Sequence, residues 1–232
     1  MSVLAWLAAA TILFVGGHFL LSHPLRATLV GRMGEGPFLW LYSLVAFVGL
    51  GGMIWAGRAA PDGPLLWIAP PGAWDLATIV MLLAAILLAG SLVGNPALPD
   101  PKGARAIPAE ARGVYAITRH PMMWAFILWA IVHALLWGTA ANLILSAGIF
   151  TLAFFGARAQ DAKKRVLMGD AWRGWEAKTA FWPFAAQISG RSRWRAVVPG
   201  MVALGGGIAI WLLATAAHAW MGGPVAGPWR WF

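Results

Sequence analysis

Residues 118–137 read TRHPMMWAFILWAIVHALLW. From Pro121 onward the stretch is apolar but for His133, and it holds no Asp, Glu, Lys or Arg. A helix needs about 20 such residues to cross a hydrocarbon core about 30 Å thick. Pro121 suits the first turn, where its missing N–H costs nothing. The stretch predicts a membrane-spanning helix entered through Arg119 and His120, and it leaves one histidine, His133, deep inside to be explained.

Comparable apolar runs lie near residues 3–21, 38–57, 74–93, 140–157 and 197–217. Hydrophobic residues make up 60% of the chain and charged residues 11%, against roughly 25% charged in a soluble domain. These features predict an all-α polytopic membrane bundle of about six transmembrane helices. With 232 residues and short connections there is room for a single domain, 1–232, and no separate soluble part. The interiors of the spans hold no Asp, Glu, Lys or Arg, which excludes the carboxylate relays of pumps.

The net charge of +9 does not point to nucleic acid, because the basic residues lie between spans rather than in one patch. Arg26 and Arg32 occupy one connection, Lys102, Arg105, Arg112 and Arg119 another, and nine more run from Arg158 to Arg195. Only Arg58 and Arg230 fall on the opposite side. The positive-inside rule then predicts a bacterial-type inner-membrane protein with cytoplasmic basic loops and both termini outside. The first run lacks a basic n-region and is read as a retained helix, not a cleaved signal. Trp6, Trp55, Trp74, Trp137 and Trp220 at outer ends, with Trp40, Trp124 and Trp194 at inner ones, predict aromatic belts against membrane lipids. The basic segment beyond Arg158, punctuated by Trp172, Trp175 and Trp182, predicts a cytoplasmic amphipathic helix or pair at the interface. Residues 58–73 read as an outer loop with Trp67 dipping into the interface and no chemistry of its own.

No cysteine is present, which removes disulfides, thiolate ligands and covalent attachment of c-type haem. The intramembrane polar groups are chiefly His18 and His133. Two histidines on different helices can ligate haem iron, and Trp129, Trp137 and Phe126 around His133 suit a flat macrocycle. The alternative is a histidine hydrogen-bonded to a neighbouring helix, and the residues alone leave both standing. His120 lies about 220° round the helix from His133, so these two cannot share a centre. The depths of His18 and His133 match, at about 12 and 13 Å, if Arg26 and Trp124 mark the inner boundary. They differ, at about 6 and 18 Å, if Ser22 and Pro121 mark it. His218 reads as a belt residue. Arg119 and His120, at a helix start, form a candidate anion site for a propionate, a phosphate or a lipid headgroup.

The segments HFLLSHPLRATLVGRMGEGPFLWLYSLVAF, YAITRHPMMWAFILWAIVHALLWGTAANLILSAG and QDAKKRVLMGDAWRGWEAKTAFWPFAA together resemble the NnrU family, which includes plant 15-cis-zeta-carotene isomerase. The resemblance covers residues 15–48 and 113–187 of a core spanning 15–187, and leaves residues 188–232 as a last helix and outer tail. It implies a haem b held non-covalently by two axial histidines, at positions matching His18 and His133. Arg119 and His120 are then candidates to neutralise its propionates. It also implies a hydrophobic polyene as substrate of a cis–trans isomerase, or, for the bacterial branch, a role in nitrite and nitric oxide metabolism. Ala130 stands where the isomerase has a cysteine, so a thiolate switch is excluded here.

The R-H-P start and the tight hairpin after it are similar as well to the isoprenylcysteine and phospholipid methyltransferases, which bind S-adenosylmethionine. Those enzymes carry an acidic pair where this chain has Gln160 and Asp161. A third reading is a haem sensor or electron carrier without substrate.

Overall fold

The computed structural model describes residues 2–60, 63–98 and 106–232. Lys102 and Arg105 lie outside them. The described residues form ten α-helices: α1 (Val3–Ser22), α2 (Arg26–Met33), α3 (Glu35–Ala59), α4 (Pro71–Ser91), α5 (Val114–Ile117), α6 (Pro121–Leu136), α7 (Ala140–Met168), α8 (Asp170–Lys178), α9 (Ala185–Ile188) and α10 (Met201–Trp220). Two 3-10 turns, Trp194–Val197 and Gly227–Trp231, complete the set. Five of the helices, α1, α3, α4, α7 and α10, are long and apolar enough to cross a membrane. The sixth expected span, α6, has sixteen residues and reaches only about 24 Å. The chain is a multi-pass membrane protein.

Local signals start the helices where the sequence suggests. Ser2 caps α1 by accepting from the Ala5 N–H at 3.2 Å, and Thr139 caps α7 by accepting from the Asn142 N–H at 3.3 Å. Pro71 and Pro121 sit in the first turns of α4 and α6. Gly169, with φ +54°, turns the chain from α7 into α8 through a conformation that a Cβ disfavours.

The long helices stand in a row whose order is not that of the chain: α3 packs on α1, α1 on α7, α7 on α6, α6 on α4 and α4 on α10. Hydrocarbon gives no solvophobic drive between helices, so contact depends on close approach of small residues. A Cβ on Gly207 of α10 would lie 2.6 Å from the Cα of Ile86 on α4, and one on Gly148 of α7 would lie 2.2 Å from Thr11 Cγ2 on α1. These glycines are the seams of the row.

The short α6 is finished by its surroundings. The last four carbonyls of any helix lack intrahelical partners. Here Trp67 Nε1 donates to the Leu135 carbonyl at 2.8 Å, and the Leu66 N–H donates to that of Gly138 at 2.9 Å. Asn142 Nδ2 donates to the carbonyls of His133 and Trp137, each at 2.7 Å. Residues 63–68 of the connection between α3 and α4 thus fold down over the end of α6, a structural role that the sequence reading did not assign.

At the opposite, basic end, the expected interfacial segment takes a different course. α8 is amphipathic, but its apolar face turns inward: Trp172 and Trp175 are both 0% exposed, with the Trp175 ring 6.1 Å from Tyr115. Only Trp182 of the three is exposed. Trp124, expected in the inner belt, is buried too, because its indole N–H donates to the Phe181 carbonyl at 2.8 Å. Tertiary partners for these rings override the lipid interface.

Candidate functional site

α6 and α10 both pack on α4 and leave a gap between them near the ends away from the basic loops. That gap is an apolar cavity of about 250 Å³, close to the lower end of the 300–1,000 Å³ or so typical of ligand sites. Trp74 of α4, Trp129 and His133 of α6, and Trp211 and His218 of α10 line it, and Pro224, Ala226 and Gly227 of the tail close one side. Among the described residues no Asp, Glu, Lys or Arg contributes to the wall, and the two threonine hydroxyls in it, on Thr78 and Thr215, donate to backbone carbonyls one turn back.

His133 is oriented by its own helix. Its Nδ1 lies 2.8 Å from the Trp129 carbonyl, and its ring stacks on that of Trp129 with centroids 4.0 Å apart. A carbonyl only accepts, so Nδ1 carries the proton and Nε2 of the neutral ring keeps the lone pair. His218 repeats the arrangement, with Nδ1 2.8 Å from the Ala214 carbonyl. The two rings face each other across the cavity, centroids 6.1 Å apart and planes 25° apart. Trp211 adds a buried indole N–H with no hydrogen-bond partner among the described residues.

His18 is elsewhere. Its Nδ1 is held by the Phe14 carbonyl at 2.8 Å, and its ring meets the edges of Phe14 and Tyr42 at 4.5 and 5.3 Å, facing α3. α7 stands between α1 and α6. Counted from the helix ends at Ser22 and Pro121, His18 lies about 6 Å and His133 about 18 Å along its helix. The fold does not bring this pair together, and it puts beside His133 the histidine that reads from sequence as a belt residue. The usable signal was depth: His133 and His218 each lie within about one turn of the far end of their helices.

Arg119 and His120 belong to a second constellation, at the basic end. Arg119 forms a forked pair with Asp161 of α7, Nε to Oδ2 at 2.9 Å and Nη2 to Oδ2 at 2.6 Å, and lies 3.6 Å from Glu176 of α8. His120 Nε2 is 2.8 Å from Asp161 Oδ1, while its Nδ1 is buried without a partner among the described residues. Glu176 also pairs with Arg165 at 2.8 Å, so two guanidinium and two carboxylate groups balance. The anion that Arg119 and His120 hold in this fold is an internal carboxylate. Phe181 and Ala180 strap the same stretch down, accepting from the Thr118 hydroxyl at 2.7 Å and the Arg119 N–H at 2.8 Å. Sequence reasoning treated Asp161 only as part of a motif comparison, because 42 residues separate it from Arg119.

Comparison with known proteins gives matches of two kinds. Two chloroplastic 15-cis-zeta-carotene isomerases are similar over part of the chain. That of Zea mays is 33% identical over 81 residues, 35% of this chain and 22% of its own length. That of Arabidopsis thaliana is 33% identical over 79 residues, 34% and 22% respectively. The match therefore spans about a fifth of the length of these relatives. No solved structure matches. The model of the NnrU protein family, by contrast, matches residues 6–226, nearly the whole chain, and this protein belongs to the NnrU family.

Proposed function

We propose that this protein is an integral-membrane haem b protein that isomerises a hydrophobic polyene of the zeta-carotene type, in which His133 would hold the haem. The observation that carries this reading is the apolar cavity that His133 lines, in whose wall no Asp, Glu, Lys or Arg stands among the described residues. A cis–trans isomerisation makes no net exchange of atoms, protons or electrons with its surroundings, so it asks for no carboxylate or cationic side chain in the wall, and among the described residues none lines it. When bound, a haem b supplies an iron centre that can engage a polyene double bond or nitric oxide. The part of the chain is to hold and exclude: the Trp129 carbonyl fixes the His133 tautomer, the stacked indole fixes the ring, and the tryptophan walls keep out water. The local likeness to 15-cis-zeta-carotene isomerases supports the choice of substrate class. The basic residues gathered at one end support an inner-membrane orientation with that end cytoplasmic and both termini outside.

The test is the absorption spectrum of protein purified in detergent from haem-replete cells, oxidised and reduced, followed by incubation with 15-cis-zeta-carotene. A b-type spectrum and conversion of the cis isomer in the reduced state are expected. Colourless protein would overturn the haem and turn attention to S-adenosylmethionine binding. A haem protein that leaves the carotene unchanged would overturn the isomerase and leave a sensor or carrier.

A further inference from the structure

We propose that the basic end of the row holds an anionic phospholipid by its phosphate, between Lys163 of α7 and Arg26 at the start of α2. This site is separate from the cavity and does not depend on what the cavity holds.

Register brings the two cations together. Gly148 of α7 meets Thr11 of α1 at the seam described above, and both helices run from there towards the basic end. Lys163 lies about 22 Å along α7 from that seam, and α1 covers about 16 Å before it ends at Ser22 and the chain turns into α2 at Arg26. Lys163 accordingly comes within electrostatic reach of Arg26 and Glu35, and His23 in the turn within that of Lys163.

The charges there do not close on themselves. Glu35 is the carboxylate that both cations feel, and the Arg26 guanidinium already takes it. Lys163 is half-buried and has no hydrogen-bond or ion-pair partner among the described residues. A partly desolvated ammonium without a counter-charge is costly, and a second cation beside it adds repulsion. Lys164, next in sequence, is served elsewhere, its Nζ donating to the Pro96 carbonyl at 3.1 Å. Arg119 makes the contrast: Asp161 neutralises it from inside the protein, whereas two cations share one carboxylate at Arg26 and Lys163.

The surroundings supply the missing anion. α2 joins two spans at the basic end and buries none of its residues, so it lies along the membrane surface. Exposed Trp40, near the start of α3, belongs to the same headgroup level. The Arg26 guanidinium, seated over the Phe38 ring at 5.5 Å, presents a fixed fork that suits phosphate oxygens, and Lys163 adds a point charge. The surplus positive charge disfavours the choline of a zwitterionic lipid and favours a headgroup whose only charge is its phosphate.

The experiment is thermal unfolding of the full chain in neutral detergent at constant ionic strength, titrated with dioctanoyl phosphatidylglycerol, dioctanoyl phosphatidylcholine or sodium phosphate. A saturable rise in melting temperature is expected with phosphatidylglycerol alone. Lys163→Gln should weaken that apparent affinity about fivefold, the worth of one basic residue beside anionic lipid. Lys163→Arg should restore it, and Arg32→Gln, which removes the same charge from the exposed side of α2, should leave it little affected. Without lipid, Lys163→Gln should melt no lower than the wild type, because it removes an unpaired cation; a lower melting temperature would show that the chain itself satisfies Lys163 and would overturn the site. Equal losses of affinity in Lys163→Gln and Arg32→Gln would overturn it too, leaving only diffuse attraction. Equal stabilisation by sodium phosphate would overturn the lipid as the source of the anion.

Discussion

Asp161→Ala is the most informative single perturbation of the basic end. The Asp161 and Arg119 side chains are 5% and 11% exposed, and that of His120 is 1% exposed. Truncation removes the carboxylate that takes the forked Arg119 pair and the His120 Nε2 contact. It strands a guanidinium whose remaining acidic neighbour, Glu176, lies 3.6 Å away and already pairs with Arg165. Removing one partner of a buried ion pair costs about 3–5 kcal/mol, because the other charge stays desolvated. The expected loss is of that size, a fall in melting temperature on the order of 10 °C for a chain of this length. Unfolding in detergent, followed by the fluorescence of the buried Trp124, Trp172 and Trp175, measures it. Arg119→Met with Asp161→Leu should cost less than Asp161→Ala alone, since it removes both charges of the pair together. A cost below about 1 kcal/mol for Asp161→Ala, the range of exposed pairs, or a double variant worse than the single, would refute the reasoning.

Other consequences can be checked directly. Gly138→Ala would bring a Cβ within 2.6 Å of the Trp67 ring; thermal unfolding should show a loss of about 1–3 kcal/mol. Adding Trp67→Ala should recover part of it. Asn142→Ala removes one of two donors to each of the His133 and Trp137 carbonyls, which keep the Trp137 and Thr139 N–H groups, and should destabilise by about 0.5–1.5 kcal/mol, with faster hydrogen exchange confined to the end of α6. Because the chain has no cysteine, single introduced thiols report orientation. In intact spheroplasts an impermeant maleimide should label Ser2→Cys, and Ser192→Cys only after the membrane is opened; the reverse pattern would invert the topology.

The bundle was legible in the sequence because membrane spans declare themselves by length and apolarity alone, and α1, α3, α4, α7 and α10 coincide with such runs. The surroundings of His133 were legible to the same degree, since Trp129 is one helical turn away and helical spacing fixes that contact. What depended on pairing between helices was not. His218 looked like an interfacial residue because nothing local tells a histidine near a helix end whether it faces lipid or another helix. Trp172 and Trp175 misled for the related reason that an amphipathic helix beside a membrane can turn its apolar face to lipid or to protein, and only Tyr115 and the core around it decide. Arg119 and His120 were singled out as an anion site for a propionate, a phosphate or a lipid headgroup, and the anion beside them is the Asp161 carboxylate. Their carboxylate partner comes from a different helix, at a distance in sequence that no periodicity reaches.

The order of the row bears on how the site is made. α4 and α6, with Trp74, Trp129 and His133, are already synthesised when the opposite wall, Trp211 and His218 on α10 and the Pro224–Gly227 closure, has yet to leave the ribosome. Until α10 docks along the Gly207 seam against Ile86, His133 borders a one-sided groove open to lipid. Any ligand gripped from both sides is therefore captured after translation, and the insertion of α10 is the step at which the empty protein and the loaded one part ways.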